Sequence, residues 1–194
     1  MNKNILNTDN QYFINNNLIT DISSLLLKKL VFKDASQQEL IEQIEAKKRC
    51  QKKLDTWYNT PNIYYPNKLN IEQTSSETTA DYKANLVSGK SLIDLTGGYG
   101  IDCFYFSKKV TNVFHCEINS SLSEIVSHNY EQLKCTNIKT IIGDGIEYLK
   151  NTAENFNWIY IDPSRRNDSK GKVFLLSDCL PNVSENINAL FNKA

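Results

Sequence analysis

Four carboxylates recur along the chain at a rhythm suited to holding one ligand. Asp94 opens the segment Asp94-Leu95-Thr96-Gly97-Gly98-Tyr99-Gly100-Ile101-Asp102. Glu117 follows 23 residues later, Asp144 another 27 on in Gly143-Asp144-Gly145, and Asp162 a further 18 on in Asp162-Pro163-Ser164-Arg165. Each acid sits at the end of a short apolar run that reads as a strand: 91–95, 113–116, 139–142 and 158–161. Helical patterns fill the intervals at 102–108, 121–133 and 146–150, and a largely helical stretch is predicted over 178–191. Strands that alternate with helices imply right-handed crossovers and a parallel, doubly wound sheet. Ligands of such sheets bind beyond the carboxyl ends of the strands, so the four acids are expected to converge there.

The residue types narrow the ligand. Glycines at 97, 98 and 100 let the backbone approach a bound molecule where a side chain would intrude. An acid after the second strand accepts hydrogen bonds from ribose hydroxyls, and one after the third can accept from an adenine amino group. A dinucleotide fingerprint requires a third glycine where this chain has Cys103. Asp94 and Asp102 also crowd the place a pyrophosphate would take, and like charges repel. A nucleoside carrying a sulfonium and an ammonium, as S-adenosylmethionine (SAM) does, suits the same charges.

The elements that position this segment occupy 73–194; the preceding 1–72 reads as a helical extension. Leu18, Ile22, Leu25 and Leu26 recur at helical spacing, followed by Leu30 and Phe32. Ser36 with Glu39 predicts a capping box opening a helix to about Leu54, with Leu40, Ile41 and Ile44 on its apolar face. Its basic end, Lys47, Lys48, Arg49, Lys52 and Lys53, either complements the helix terminus or meets an RNA backbone. The aromatic connector Trp57-Tyr58 through Tyr64-Tyr65-Pro66 either packs onto the next domain or offers bases a stacking platform. A helix is predicted over 74–86, with Ala80, Ala84 and Tyr82 inward.

Composition supports a globular protein: 40% hydrophobic and 23% charged residues, with 22 basic and 22 acidic side chains. Net charge gives no global case for nucleic acid, so any such binding must be local. The stretch 25–32 is broken by Lys28 and Lys29 and is too short to span a bilayer. The polar start of the chain lacks the apolar core of a secretory signal. Five cysteines without a C-x-x-C spacing argue against a disulfide framework and a zinc site. The cytoplasm is the expected compartment, with reduced thiols, no metal and no membrane. Cys179 reads as a buried core cysteine, and two histidines separated by polar chain argue against a multi-histidine site.

The order Asp94…Gly98-x-Gly100, Glu117, Asp144, Asp162-Pro163 resembles motifs I to IV of class I SAM-dependent methyltransferases. The segment 73–83 is similar to the preceding motif that covers the cofactor. With Ile63-Tyr64-Tyr65-Pro66 and Asp162-Pro163-Ser164-Arg165-Arg166, the chain resembles a bacterial group of RNA methyltransferases that carry a THUMP-like domain near the carboxyl end. The resemblance implies a Rossmann-like α/β fold with SAM as cofactor and RNA as substrate. It places Asp94, Gly97, Gly98 and Gly100 at the methionine moiety, Glu117 at the ribose and Asp144 at the adenine amino group. Ile118 and Gly145 would flank the ring, Asp102 and Thr78 would reach the amino or carboxylate end, and Asp162, Pro163, Ser164 and Arg165 would line the acceptor site.

Two features depart from that pattern. Ser164 and Arg165 stand where enzymes that methylate exocyclic amines carry an aromatic residue, which leaves the acceptor atom open. The sheet of that class has about seven strands, whereas four are legible here, so the chain reads as the amino-terminal portion of a longer protein. The strand at 158–161 would then be an exposed edge available for self-association. The alternatives are a non-catalytic remnant that retains SAM or RNA binding and, less favoured by the glycine pattern, a nicotinamide-dependent oxidoreductase.

Overall fold

The computed structural model describes residues 1–28, 31–167 and 171–194; Lys29, Leu30 and the side chain of Arg166 lie outside the described set. The amino-terminal region is helical, and its polar side chains serve as helix starts. Asn7 caps α1 (Thr8–Asn16) and Asp21 caps α2 (Ile22–Leu27). At α3 (Gln37–Cys50) the capping box forms as the sequence predicts: Ser36 Oγ accepts the Glu39 N–H, and a Glu39 carboxylate oxygen accepts the Ser36 N–H at 2.8 Å. Ser36→Ala, which deletes one half of this exchange at an exposed site, is expected to cost about 1 kcal/mol. A urea titration followed by circular dichroism checks this.

Leu40, Ile41 and Ile44 bury against Ile5, Ile14 and Leu25. The helix stops at Cys50, short of Leu54, because Leu54 leaves helical geometry and turns fully inward. After it come α4 (Asp55–Asn59), α5 (Lys68–Gln73) and α6 (Glu77–Ala84). Trp57, Ile63 and Tyr65 are buried in one cluster with Phe104 and Val126, so the connector packs down and is no open stacking platform. The basic end of α3 ties neighbouring chain together. Lys47 donates to Asn15, Lys48 to the Thr20 carbonyl, and Lys53 to the carbonyls of Ile71 and Glu72.

Helix α6 corrects two expectations. It begins at Glu77 under a Ser76 cap, leaving Thr74 extended, and Tyr82 points outward, 67% exposed. On a 3.6-residue repeat, position 82 lies opposite the face set by the buried Ala80 and Ala84.

The remainder alternates strands and helices. β1 (Gly89–Asp94), α7 (Ile101–Phe106), β2 (Val110–Glu117), α8 (Ser120–Gln132), β3 (Ile138–Ile142), α9 (Gly145–Asn151) and β4 (Trp158–Tyr160) build a parallel four-stranded sheet of order β3-β2-β1-β4. The strand order reverses between β1 and β4, which places a crevice at their carboxyl ends. Both faces are covered. Leu92 joins the cluster with α6, α7 and α8, while its neighbour Ile93 joins Ile146, Leu149 and Phe156 on the other side. β4 is an edge strand, with Trp158 40% exposed.

Beyond β4 the sequence reading needs correction. A short antiparallel pair of β5 (Arg166–Asn167) and β6 (Gly171–Lys172) is present that the sequence does not predict, because two-residue strands carry no readable period. The last helix, α10 (Val183–Phe191), starts five residues later than predicted, under an Asn182 cap and after Pro181, whose ring and missing N–H oppose a continuous helix. Cys179 is buried at 3% exposure, and all five cysteines are free. Among the described residues, no helix is long and apolar enough to cross a membrane.

Candidate functional site

The register brings the strand ends level. Asp94 lies opposite His115 and Tyr160, and Glu117 opposite Ile142. Backbone bonds then stitch the loops beyond them: Gly97 N–H to Cys116 O at 2.8 Å, Gly143 N–H to Glu117 O at 3.0 Å, and Leu95 N–H to Tyr160 O at 3.0 Å. The Asp162 N–H donates to Thr96 Oγ1 at 2.8 Å, which ties the fourth strand end to the glycine loop. The four acids therefore lie along one edge of the sheet, in different environments.

Glu117 is half-buried, with one oxygen accepting the Gly98 N–H at 3.0 Å and the other the Asn119 N–H at 2.7 Å. Asp144 is exposed and caps α9, Oδ1 taking the N–H groups of Ile146 and Glu147. Asp162, Ser164 and Arg165 are exposed and Pro163 half-buried; Ser164 and Leu180 exchange backbone bonds. Ile118 is 72% exposed beside Glu117.

Asp94 departs from the simple picture of four acids facing a ligand. It is 1% exposed and lies under the loop, where Oδ1 accepts the Thr96 N–H at 2.9 Å and Oδ2 the Cys103 thiol at 3.3 Å. Burial pushes its carboxyl up to about 7, opposed by the Thr96 N–H and assisted by the nearby Asp102 charge. Its place is structural, beneath the loop.

The glycines divide into a packed floor and an open top. A Cβ on Gly97 would come within 2.3 Å of the His115 ring, one on Gly100 within 2.3 Å of Tyr130 Oη, and one on Gly145 within 2.4 Å of the Leu95 carbonyl oxygen. A Cβ on Gly98 would meet nothing closer than 3.8 Å, and one on Gly143 nothing within 4 Å. Gly98 and Gly100 hold φ of +54° and +82°, the left-handed region that favours glycine.

Sequence reasoning passed over the supports beneath this loop. His115 is fully buried, and its Nε2 lies 3.2 Å from the Gly98 carbonyl oxygen. A carbonyl only accepts, which puts the ring proton on Nε2. Burial holds this imidazole down to about 4, hence neutral. Tyr130, edge-on to His115 at 5.8 Å, donates to the Gly100 carbonyl at 2.9 Å. The only signal in sequence was a histidine inside an apolar strand.

Asp102 is held from α6 and β4. Its Oδ2 accepts from Lys83 Nζ at 3.1 Å and Ser75 Oγ at 2.9 Å, and Lys83 also donates to the Tyr160 hydroxyl at 2.6 Å. Asp102 Oδ1 is buried without a hydrogen-bond partner. Thr78 does not join this cluster. It is exposed, on the side of α6 shared with Tyr82, while Ser75 and Lys83 hold Asp102.

No family model matches the chain, and no curated protein matches it. Among solved structures, the chain is similar to a candidate methyltransferase from Porphyromonas gingivalis W83: 27% identity and a TM-score of 0.81, covering 98% of this chain and 47% of that one. The chain thus spans about half the length of that protein and shares its Rossmann-like α/β fold. Weaker likenesses are to Trm5b from Pyrococcus abyssi (22% identity, 48% of this chain and 28% of that, TM-score 0.41) and to SMU.1697c, a methyltransferase candidate from Streptococcus mutans in complex with SAH (17%, 59% and 65%, 0.44).

Proposed function

We propose that the chain is a SAM-dependent methyltransferase acting on RNA, with residues 73–194 as the cofactor domain and 1–72 as a helical extension. The observation that carries this reading is the open-topped acidic crevice at the ends of β1 to β4, with Glu117 clamped between the N–H groups of Gly98 and Asn119. The similar Porphyromonas gingivalis structure, described as a methyltransferase candidate, supports it.

The residues fit the cofactor. Asp102, Glu117, Asp144 and Asp162 gather at the crevice with Lys83 as the cation paired to Asp102, and His115 below is neutral. That excess of negative charge suits a cationic nucleoside and opposes a pyrophosphate. The buried, unpartnered Asp102 Oδ1 requires a donor, which a ligand ammonium provides. Glu117 would hold the ribose hydroxyls, Asp144 the adenine amino group, and Ile118 and Gly145 the faces of the ring. Gly98 would form the wall beside the methionine moiety, with Gly97 and Gly100 packed beneath it and Asp94 holding the loop from below.

Bound SAM supplies a methyl group on a sulfonium. The contribution of the chain is placement: Glu117 and the rigid loop fix the donor, while Asp162 and Arg165 orient the acceptor, lowering the entropic part of the barrier. An exposed Arg165 beside Asp162 can stack on a base or hold a phosphate, which is the RNA-directed part of the site.

Calorimetric titration with SAH tests the cofactor reading. The parent chain is expected to bind, Glu117→Ala to bind about 10-fold or more weakly through loss of charge-assisted hydrogen bonds, and NADH not to bind. A folded chain that ignores SAH overturns the proposal. Transfer of label from methyl-tritiated SAM into RNA tests the substrate, and label appearing in protein instead overturns that part alone.

A further inference from the structure

Tyr99 sits between Gly98 and Gly100, at the tip of a tight turn, where a side chain ordinarily points to water. It is 3% exposed. Its hydroxyl donates to the Tyr64 carbonyl at 3.2 Å and accepts from Asn129 Nδ2 at 3.3 Å. The same Asn129 amide brackets Tyr64, donating to its carbonyl at 2.9 Å and accepting its N–H at 2.9 Å. The Tyr99 ring packs beside Trp57, centroids 6.4 Å apart.

These contacts continue into the helical extension. The Tyr65 hydroxyl donates to the Trp57 carbonyl, and Gln43 on α3 both accepts the Tyr65 N–H at 3.0 Å and donates to its carbonyl at 2.8 Å. A buried chain of hydrogen bonds thus runs from α3 through the connector to the middle residue of the glycine loop. The other anchors of that loop, His115, Tyr130 and Glu117, belong to the sheet and its helix. Among the described residues, Tyr99 alone carries the loop's side-chain hydrogen bond to residues 1–72.

We infer that Tyr99 is a positioning residue through which the helical extension sets the glycine loop, so that the extension and the crevice are energetically coupled. The inference rests on the SAM reading for the identity of the ligand but not for the coupling. A loop held in one conformation binds its ligand without first ordering itself, and loss of the anchor lowers the competent fraction and the affinity together. Coupling is also reciprocal: a ligand that fixes the loop must tighten the connector.

The test uses the full chain and SAH. Tyr99→Phe removes one hydroxyl and leaves the Tyr64 carbonyl bonded to Asn129, so the fold is retained. Its SAH dissociation constant is expected to rise roughly 3- to 10-fold, the worth of one neutral hydrogen bond, with faster amide exchange at Gly98 and Gly100. In the parent chain, SAH is expected to slow exchange at Tyr64 and Tyr65, outside the crevice. An unchanged dissociation constant with unchanged exchange at the loop overturns the inference, as does SAH binding that leaves the connector amides unaffected. If the parent binds no SAH, the cofactor reading has failed, and loop exchange in Tyr99→Phe still decides the coupling: acceleration at Gly98 and Gly100 supports it, and none overturns it.

Discussion

Replacing Gly145 with alanine is expected to destabilise the protein by about 3 kcal/mol or more, a scale set by steric overpacking in a close-packed interior. The added Cβ would meet Leu95 O at 2.4 Å, Leu95 Cα at 2.7 Å and Leu95 C at 2.9 Å. These are backbone atoms at the end of the central strand, and the Leu95 N–H is itself bonded to Tyr160 O. No side chain can rotate away, so either α9 lifts off the sheet or the β1–β4 junction opens. At this chain length such a loss lowers the melting temperature by about 6–12 °C. Gly98→Ala makes the contrast. Its φ of +54° costs an alanine roughly 1–2 kcal/mol, yet its Cβ enters open space. That variant is expected to stay folded and lose SAH affinity, because the methyl occupies the side of the loop proposed to face the ligand. Thermal melts and SAH titrations of both variants separate a floor position from a wall position. A Gly145→Ala melt that overlays the parent's would show that α9 slides freely.

The second large effect is a pair of opposed pH dependences. Asp94 titrates at about 7 in the folded chain against 3.8 ordinarily, so between these values the unfolded chain is ionised here and the folded chain is not. Its contribution to stability is full below pH 3.8 and is lost as pH rises towards 7. His115 is displaced the other way, to about 4 from 6.5, so its contribution is full above pH 6.5 and is lost as pH falls towards 4. Each slope approaches about 1.4 kcal/mol per pH unit at its steepest. Over the shared window the two nearly cancel in the parent. Asp94→Asn is expected to leave the histidine slope, with stability rising from pH 4 to 6.5. His115→Gln, which retains a donor for the Gly98 carbonyl, is expected to leave the aspartate slope, with stability falling as pH rises. Urea midpoints at half-unit steps read both directly, and two variants that keep the parent profile would refute the assignment.

These two residues also mark where reading the sequence stopped. His115 was visible only as a histidine within an apolar strand, and Asp94 looked like the other three acids because a strand end is a strand end in sequence. What separates Asp94 from Glu117 is the loop folded over the first, with Cys103 and Thr96 supplying donors, and the two backbone N–H groups that hold the second open to the crevice. Tyr82 was misplaced for a related reason: a short helix with few apolar residues defines its inner face weakly, and packing of Ala80 and Ala84 against α7 decided it. The rotation of α6 turns Thr78 outward beside Tyr82 and Lys83 towards Asp102.

What the sequence determined by itself is what depends on neighbours in the chain. Strand and helix periods, the Ser36–Glu39 capping box and the placing of each acid at the end of its strand are local, since a few residues settle backbone conformation and which end of an element a side chain occupies. The order β3-β2-β1-β4 and the anchoring of Tyr99 to the extension were settled only by tertiary structure, as were the burial of Asp94, the His115 and Tyr130 supports and the Lys83–Asp102 pair. Each of these depends on elements distant in sequence meeting at a common surface. Burial and hydrogen-bond partners are properties of that meeting: the same carboxylate is a ligand-facing acid or a buried structural group according to what the rest of the chain lays over it.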